Sequence, residues 1–147
     1  MTRTIYFDMD GTIANLYGVK GWLPMLRNED TTPYTDATPL VNMSLLARYL
    51  NALIRKGWKI GIVSWTAKNG TVDYNERTKV AKIQWLKSHL KSVHFEEIHI
   101  VAYGTPKHEI VSDPQGILFD DEIGNRNAWT GIAYDVDNII EILKEIV

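Results

Sequence analysis

Cysteine is absent from this sequence of 147 residues. Its absence excludes disulfide scaffolds, thiolate zinc sites and catalysis by a cysteine nucleophile. Any reactive side chain must therefore be sought among the other residue types.

The sequence also lacks long apolar runs. Its first ten residues already carry charge at Arg3, Asp8 and Asp10 and contain no apolar stretch of signal-peptide length. No later segment approaches the roughly 18 apolar residues that a membrane span needs. We therefore expect a soluble, cytoplasmic protein without a membrane partner.

An excess of charge of one sign is missing as well, because 16 basic and 18 acidic residues leave a formal net charge of −2. Such a balance produces no global field that would attract nucleic acid. One basic stretch surrounds a predicted helix, and such runs are usually a solvated face: Arg77, Lys79, Lys82, Lys87 and Lys91. Nucleic acid is thus a disfavoured partner, and the oligomeric state is left open.

Apolar residues make up 45% of the chain, which is enough to form one hydrophobic core at a length typical of one domain. We predict a single domain over residues 1–147. Five short apolar segments predict strands over residues 4–9, 59–64, 98–102, 116–119 and 131–134.

Helical spacing of apolar residues predicts helices over 44–56, 75–90 and 138–147. In the second helix the buried stripe is predicted to be Val80, Ile83, Leu86 and Leu90, and Asp137 is predicted to cap the third. Helices that alternate with continuously apolar strands indicate an α/β fold, with three layers around a parallel central sheet. Ligands of such sheets bind outside the carboxyl ends of the strands.

Residues 15–42 interrupt this alternation. They hold three of the five prolines and several turn-forming stretches. We predict an inserted flap here. Its aromatic residues Tyr17, Trp22 and Tyr34 either fix the flap to the core or stack on a ring of a bound ligand.

Carboxylates follow two of the predicted strands. Asp8 and Asp10 are two residues apart on an extended chain, so their side chains point the same way, and Asp120-Asp121 ends the fourth strand at the same edge of the sheet. Carboxylates about 4 Å apart repel by roughly 4 kcal/mol at an effective dielectric of 20, so they need a cation or a shared proton. Mg2+ fits best, because it prefers oxygen ligands and is commonly held by a few carboxylates together with a substrate phosphate.

Groups suited to phosphate follow the other strands. Ser64, Trp65 and Thr66 end the second strand and offer hydroxyl and backbone N–H donors. Lys107 follows the third strand behind Pro106 and is the expected phosphate-binding ammonium. Lys82, in the middle of a predicted helix, is the alternative.

With these motifs the chain resembles the haloacid dehalogenase superfamily of phosphotransferases. The resemblance rests on four motifs that occur in the family's order and cover essentially the whole chain: Asp8-Met9-Asp10-Gly11-Thr12, Ser64, Lys107 and Asp120-Asp121. The acidic pair is followed by Glu-Ile-Gly-Asn, which departs from the commoner spacing of this motif. The short interval between Lys107 and Asp120 is similar to that of the small deoxynucleotide phosphatases.

The resemblance implies a Rossmann-like, magnesium-dependent phosphohydrolase of the minimal-cap type, with the flap in place of a cap domain. It implies that Asp8 is the nucleophile that forms an aspartyl-phosphate and that Asp10 is the general acid and base. The metal would be held by Asp8, the Asp10 carbonyl and Asp120, with Asp121 as a direct or supporting ligand. The implied substrate is a small phosphate monoester, with a nucleotide as a candidate.

Two alternatives stay open. A minimal cap leaves the site accessible, so the chain could instead be a polynucleotide or protein phosphatase of the same superfamily. It could also be a catalytically idle module that binds metal or phosphate, although an idle site has no need of the acid Asp10.

Overall fold

A five-stranded parallel sheet forms the centre of the computed structural model, which describes residues 3–147. Its strands are β1 Thr4–Phe7, β4 Lys59–Trp65, β5 Glu97–Val101, β6 Ile117–Phe119 and β7 Ile132–Tyr134. Their order across the sheet is β5-β4-β1-β6-β7, and every pairing is parallel. The predicted α/β fold with five parallel strands is confirmed.

The first strand ends earlier than predicted. β1 stops at Phe7, because the chain then curls around the Met9 carbonyl, which accepts hydrogen bonds from the amides of Thr12, Ile13 and Ala14 at 2.9–3.0 Å. Asp8 and Asp10 therefore lie on a tight loop at the carboxyl end of the central strand. Because β4 and β6 lie on opposite sides of β1, this loop occupies the point where the strand order reverses, where such sheets bind ligands.

One face of the sheet is covered by three helices, α3 Met43–Arg55, α4 Val72–His89 and α7 Ile139–Ile146. They pack on the strand residues that point to this side, such as Ile5, Phe7 and Ile62, and form the main hydrophobic core with them. The opposite face is covered by the short helices α5 Lys107–Ile110 and α6 Ile123–Ala128 and their flanking residues, where Trp129 packs against Tyr6. This arrangement is the predicted three-layer architecture.

Only the carboxyl-terminal part of the stripe predicted for α4 is buried: Leu86 and Leu90 lie in the main core, whereas Ile83 is half-buried. Val80 is 54% exposed. The buried positions of α4 are Tyr74, Thr78, Ala81, Lys82, Trp85 and Leu86. The amino-terminal half of this helix packs against the flap, which suits aromatic and small polar residues, and only its carboxyl-terminal end reaches the aliphatic core.

The predicted flap is closed at its base by a two-stranded antiparallel sheet of β2 Ala14–Asn15 and β3 Thr38–Pro39. Between them lie the helices α1 Trp22–Arg27 and α2 Thr32–Asp36. Hydrogen bonds to α4 hold the flap down: the Tyr74 hydroxyl donates to the Asp30 carbonyl at 2.8 Å, and the Trp85 indole donates to the Ala37 carbonyl at 2.7 Å. The flap is thus a packed layer above the sheet edge.

The start of the last helical segment corrects one prediction. Asp137 was expected to cap it, but Asp137 lies inside a 3-10 turn, Val136–Asn138, that precedes α7. The side chain of Asp135 accepts the hydrogen bond of the Val136 amide instead.

The helices of residues 3–147 include none that is both long enough and apolar enough to cross a membrane.

Candidate active site

Residues that follow four neighbouring strands meet at one edge of the sheet. Asp8 follows β1, Ser64 lies near the end of β4, Lys107 begins the helix after β5, and Asp120 follows β6. All four side chains are buried. The structure therefore brings together the residues that the four sequence motifs contribute.

The carboxylates of Asp8, Asp120 and Asp121 form a compact acidic cluster. One oxygen from each lies within 4.8 Å of the others. Gly11 allows this approach, because its φ of +77° is in the left-handed region and a Cβ at this position would collide with the Asp121 carboxylate. The Thr12 hydroxyl lies 3.3 Å from an oxygen of Asp8 and 3.3 Å from an oxygen of Asp121 and so links the two motifs.

Lys107 is the cation of this cluster. Its ammonium group donates to Asp120 at 2.7 Å and lies 3.1 Å from Asp8. The Trp65 ring lies 5.2 Å from the same ammonium, and its indole N–H donates to the Thr105 carbonyl at 2.9 Å. The side chain of Trp65 thus holds the loop that carries Lys107, whereas the predicted phosphate contact of this segment concerned hydroxyl and backbone N–H donors.

A second buried lysine lies on the other side of the site. This is Lys82, the alternative candidate for the phosphate-binding lysine, and it is only 1% exposed. Its ammonium donates to Asp10 at 2.7 Å and to the Ser64 hydroxyl at 2.8 Å. Lys82 is therefore not part of the solvated basic face that its neighbours in sequence form.

The two carboxyl groups on the β1 loop have opposite shifts in pKa. Burial alone would raise the pKa of Asp8, but the charges of Lys107 and Lys82 outweigh burial and lower it. Burial raises the pKa of Asp10 and is not overcome by Lys82, while the nearby charge of Asp8 raises it further. Asp8 thus gives up its proton more readily and Asp10 holds its proton more tightly than an ordinary aspartic acid, a difference in the direction that a nucleophile and a general acid require.

The other two members of the acidic cluster hold their protons more tightly than ordinary carboxyl groups. Burial and the charge of Asp8 raise the pKa of Asp120 to about 6. The same two causes raise the pKa of Asp121 to about 7. The local charge of the cluster is therefore only partly compensated by Lys107.

This donor set suits a hard divalent cation. It consists of carboxylate oxygens, the ligands that magnesium prefers, and contains no sulfur. The pKa values of Asp120 and Asp121 are raised, so an added positive charge would stabilise the ionised forms of these two carboxyl groups. The residues present fit Mg²⁺ held by Asp8, Asp120 and Asp121.

A cleft of about 650 Å³ opens above these groups. Its floor contains Asp8, Asp10 and Ser64. Two aromatic pairs also line the cleft, each with ring centres about 5 Å apart: Tyr17 with Trp22 from the flap, and Trp65 with Tyr103.

Thr66 and Tyr34 also line the cleft. The Thr66 amide donates to the Val101 carbonyl at 2.7 Å, so this amide belongs to the sheet, whereas the Thr66 hydroxyl is buried and has no hydrogen-bond partner among the described residues. Tyr34 is buried and packs with Leu16 and Tyr74, so it fixes the flap. Of the three flap aromatics, Tyr17 and Trp22 are the ones placed to meet a ligand.

Comparison with solved structures identifies the architecture. The chain is similar to the D,D-heptose 1,7-bisphosphate phosphatase from Burkholderia thailandensis, a phosphatase of the haloacid dehalogenase superfamily, with a TM-score of 0.59 and 11% sequence identity. The likeness covers 98% of this chain and 97% of that one. The chain has the haloacid dehalogenase fold. No family model and no curated protein matches the sequence.

This likeness covers 98% of the chain and therefore includes the flap. At 11% identity the likeness concerns the fold, and the argument for function depends on the site itself.

Sequence reasoning did not assign a role to several residues of this site. Thr12 was read only as part of a motif, although it links Asp8 to Asp121. Asn125 donates to Asp120 at 3.1 Å, and it lies five residues further along the chain on α6. Lys82 was named only as the alternative phosphate-binding lysine. Its burial could have been predicted from Thr78, because the two residues are four apart and lie on the same face of the helix.

Proposed function

We propose that this protein is a magnesium-dependent phosphohydrolase that cleaves a phosphate monoester through an aspartyl-phosphate on Asp8. The observation that carries the proposal is the pairing of Asp8 and Asp10 on one loop, with a lowered pKa for the first and a raised pKa for the second. In such a pair the ionised carboxylate can attack as a nucleophile, and the protonated carboxyl group can donate its proton to the leaving group.

In the first step an Asp8 oxygen attacks phosphorus, and the bond between phosphorus and the ester oxygen breaks. The ester oxygen leaves with the proton of Asp10. Lys107, 3.1 Å from Asp8, offsets the charge that gathers around the transferring group. A bound Mg²⁺ would supply further charge neutralisation at the phosphate and would orient it toward Asp8.

In the second step Asp10, now ionised, accepts a proton from water, and the water oxygen attacks phosphorus. The bond between phosphorus and Asp8 breaks, which releases inorganic phosphate and restores both carboxyl groups. Ser64 supports both steps, because its oxygen already accepts a hydrogen bond from Lys82 and its own proton is free to be donated to a phosphate oxygen.

We propose a nucleotide as the substrate, because the aromatic lining of the cleft suits a leaving group with a flat ring. Support comes from the two aromatic pairs that line the cleft, one from the flap and one from the sheet edge. Aromatic side chains of this kind stack on nucleobases with a gain of about 1–3 kcal/mol per base. Lys68 and Arg27 also line the cleft and add positive charge for an anionic ligand.

A panel of phosphate monoesters with Mg²⁺ or with EDTA tests this proposal. The panel comprises p-nitrophenyl phosphate, nucleoside monophosphates, sugar phosphates and a 3′-phosphorylated oligonucleotide. We expect the highest kcat/KM with a nucleoside monophosphate and no turnover in EDTA. A preference for sugar phosphates or for the oligonucleotide would refute the substrate class, and full activity in EDTA would refute the metal.

A further inference from the structure

Lys82 is a buried cation that the two-step reaction above does not use. It lies in the middle of α4 with 1% of its surface exposed. A fully buried ammonium group is costly unless all its donors are satisfied. Its position therefore needs an explanation in terms of what it holds.

The ammonium group of Lys82 has three acceptors. It donates to Asp10 Oδ2 at 2.7 Å, to Ser64 Oγ at 2.8 Å and to the Trp65 carbonyl at 2.7 Å. An ammonium group carries three N–H donors, so these contacts use its whole capacity. Lys82 has no donor left for a substrate phosphate.

These contacts join three separate parts of the chain. Asp10 lies on the loop after β1, Ser64 and Trp65 lie on β4, and Lys82 comes from α4. The contact with Asp10 fixes one oxygen of its carboxyl group and leaves the other oxygen to carry the proton. A charge-assisted hydrogen bond in a buried setting is short and strongly directional, so it restricts the orientation of that carboxyl group.

The flap covers this arrangement. The ring of Tyr34 lies 5.2 Å from the Lys82 ammonium and is itself only 4% exposed. A cation over an aromatic face is attracted to it, so the Tyr34 ring helps to hold the buried ammonium group in place. The Asp10 side chain on the other side of the contact is 17% exposed and reaches the cleft.

We propose that Lys82 is the positioning residue of the Asp10 carboxyl group, and that it acts on the leaving-group side of the reaction without contacting phosphate. This role rests on the proposed function of Asp10 as general acid and base. The two buried lysines then have different roles: Lys107 acts beside the nucleophile Asp8, and Lys82 orients the carboxyl group of Asp10.

The test is the dependence of kcat/KM on the leaving group in Lys82→Met. Acid catalysis contributes about 10²–10⁴-fold when the leaving alkoxide is basic and little when it is an acidic phenol. We expect kcat/KM to fall by about a hundredfold for an alkyl phosphate and by less than about fivefold for p-nitrophenyl phosphate. Because loss of base catalysis slows the second step, a burst of nitrophenol should also appear.

Two further variants sharpen the comparison. Lys79→Met removes an exposed lysine from the same helix and should leave both rates unchanged. The double variant Lys82→Met/Asp10→Asn should react at the same rate as Asp10→Asn alone, because Lys82 acts through Asp10. The double variant also removes both charges of the buried pair, so it remains measurable if the single change impairs folding.

Equal losses of kcat/KM for both types of ester in Lys82→Met would overturn the positioning role, as would a double variant much slower than Asp10→Asn. A wild-type protein that hydrolyses none of the esters would instead refute the proposed function.

A crystal structure of the wild type with orthovanadate supplies a check that needs no variant. Lys82 should keep its three protein contacts there, and a direct contact with vanadate would overturn the proposal.

Discussion

At the scale of single residues, the site contains two pairs of an aspartate and a buried lysine. Asp8 pairs with Lys107, and Asp10 pairs with Lys82. Both lysines are almost fully buried, so each pair is protected from solvent screening. The pKa values of the two aspartates still shift in opposite directions, because both lysines lower the pKa of Asp8, whereas burial and the charge of Asp8 raise the pKa of Asp10.

Replacement of Lys107 by methionine tests the first pair. The change removes the cation between Asp8 and Asp120, so charge on the transferring group is no longer offset. We expect a loss of kcat/KM of about a hundredfold or more, comparable to the loss of a preorganised donor to the transition state. The loss should be the same for alkyl and aryl phosphates, in contrast to Lys82→Met. A loss confined to alkyl esters would move Lys107 to the leaving-group side.

The two lysines also show where prediction from sequence reached its limit. Lys107 could be predicted, because it follows a strand directly and parallel strands end at a common edge. Lys82 was only the second candidate for the phosphate-binding lysine, because a lysine within a helix is usually solvated. The predicted buried stripe of α4 contained Val80 and Ile83 but not Lys82. The aliphatic residues of α4 were a poor guide to its buried face, since Tyr74, Thr78 and Lys82 pack toward the flap and the site.

At the scale of elements, the flap forms part of the lining of the cleft that contains the acidic cluster. The sequence indicated its extent, through prolines and turn residues over 15–42, and the β2–β3 pair closes it at 14–15 and 38–39. Which of its aromatic residues face the cleft could not be predicted, because that depends on contacts with α4 that are distant in sequence. Tyr74 and Trp85 supply those contacts through hydrogen bonds to flap carbonyls.

Replacement of Trp22 by alanine tests the flap as part of the substrate site. Trp22 pairs with Tyr17 on the wall of the cleft. We expect KM for a nucleoside monophosphate to rise by about tenfold, because a stacking contact is worth about 1–3 kcal/mol. KM for p-nitrophenyl phosphate should change by less than about twofold under the same conditions, because its small ring leaves most of the cleft empty.

Replacement of Leu40 by alanine is the matched control for that experiment. Leu40 is an exposed apolar residue at the end of the flap, and it is not part of the cleft lining. Its replacement should leave both KM values unchanged. Equal increases of KM for the two substrates in Trp22→Ala would show that the flap acts on the phosphate site as a whole and not on the leaving group.

At the scale of the whole molecule, the acidic cluster makes stability depend on pH and on metal. The pKa values of Asp120 and Asp121 are raised to about 6 and about 7, above the ordinary value of about 3.8. A folded state with raised carboxyl pKa values binds more protons than the unfolded state, so these two groups make stability fall as pH rises from about 4 to about 7. Above that range both groups are ionised and their repulsion is complete.

Thermal unfolding with and without magnesium measures this effect. In EDTA, the contribution of these two groups should lower Tm as pH rises from 5 to 8. Magnesium should raise Tm strongly at pH 8 and little at pH 5, because at low pH it must displace the protons of Asp120 and Asp121. Asp121→Asn serves as the comparison and should show a smaller rise at pH 8. A rise of Tm with magnesium that is independent of pH would contradict this assignment of the metal site.

The central claim is that phosphate passes through a covalent bond to Asp8, and chemical trapping tests it most directly. An acyl phosphate is reduced by borohydride to an alcohol, which converts an aspartyl-phosphate to homoserine, whereas a free carboxylate does not react. The protein is quenched during turnover with p-nitrophenyl phosphate and Mg²⁺, reduced and analysed by peptide mass spectrometry. The account predicts homoserine at position 8 only when substrate is present, and none in Asp8→Asn. Turnover without any reduced aspartate, or with homoserine at another position, would contradict it.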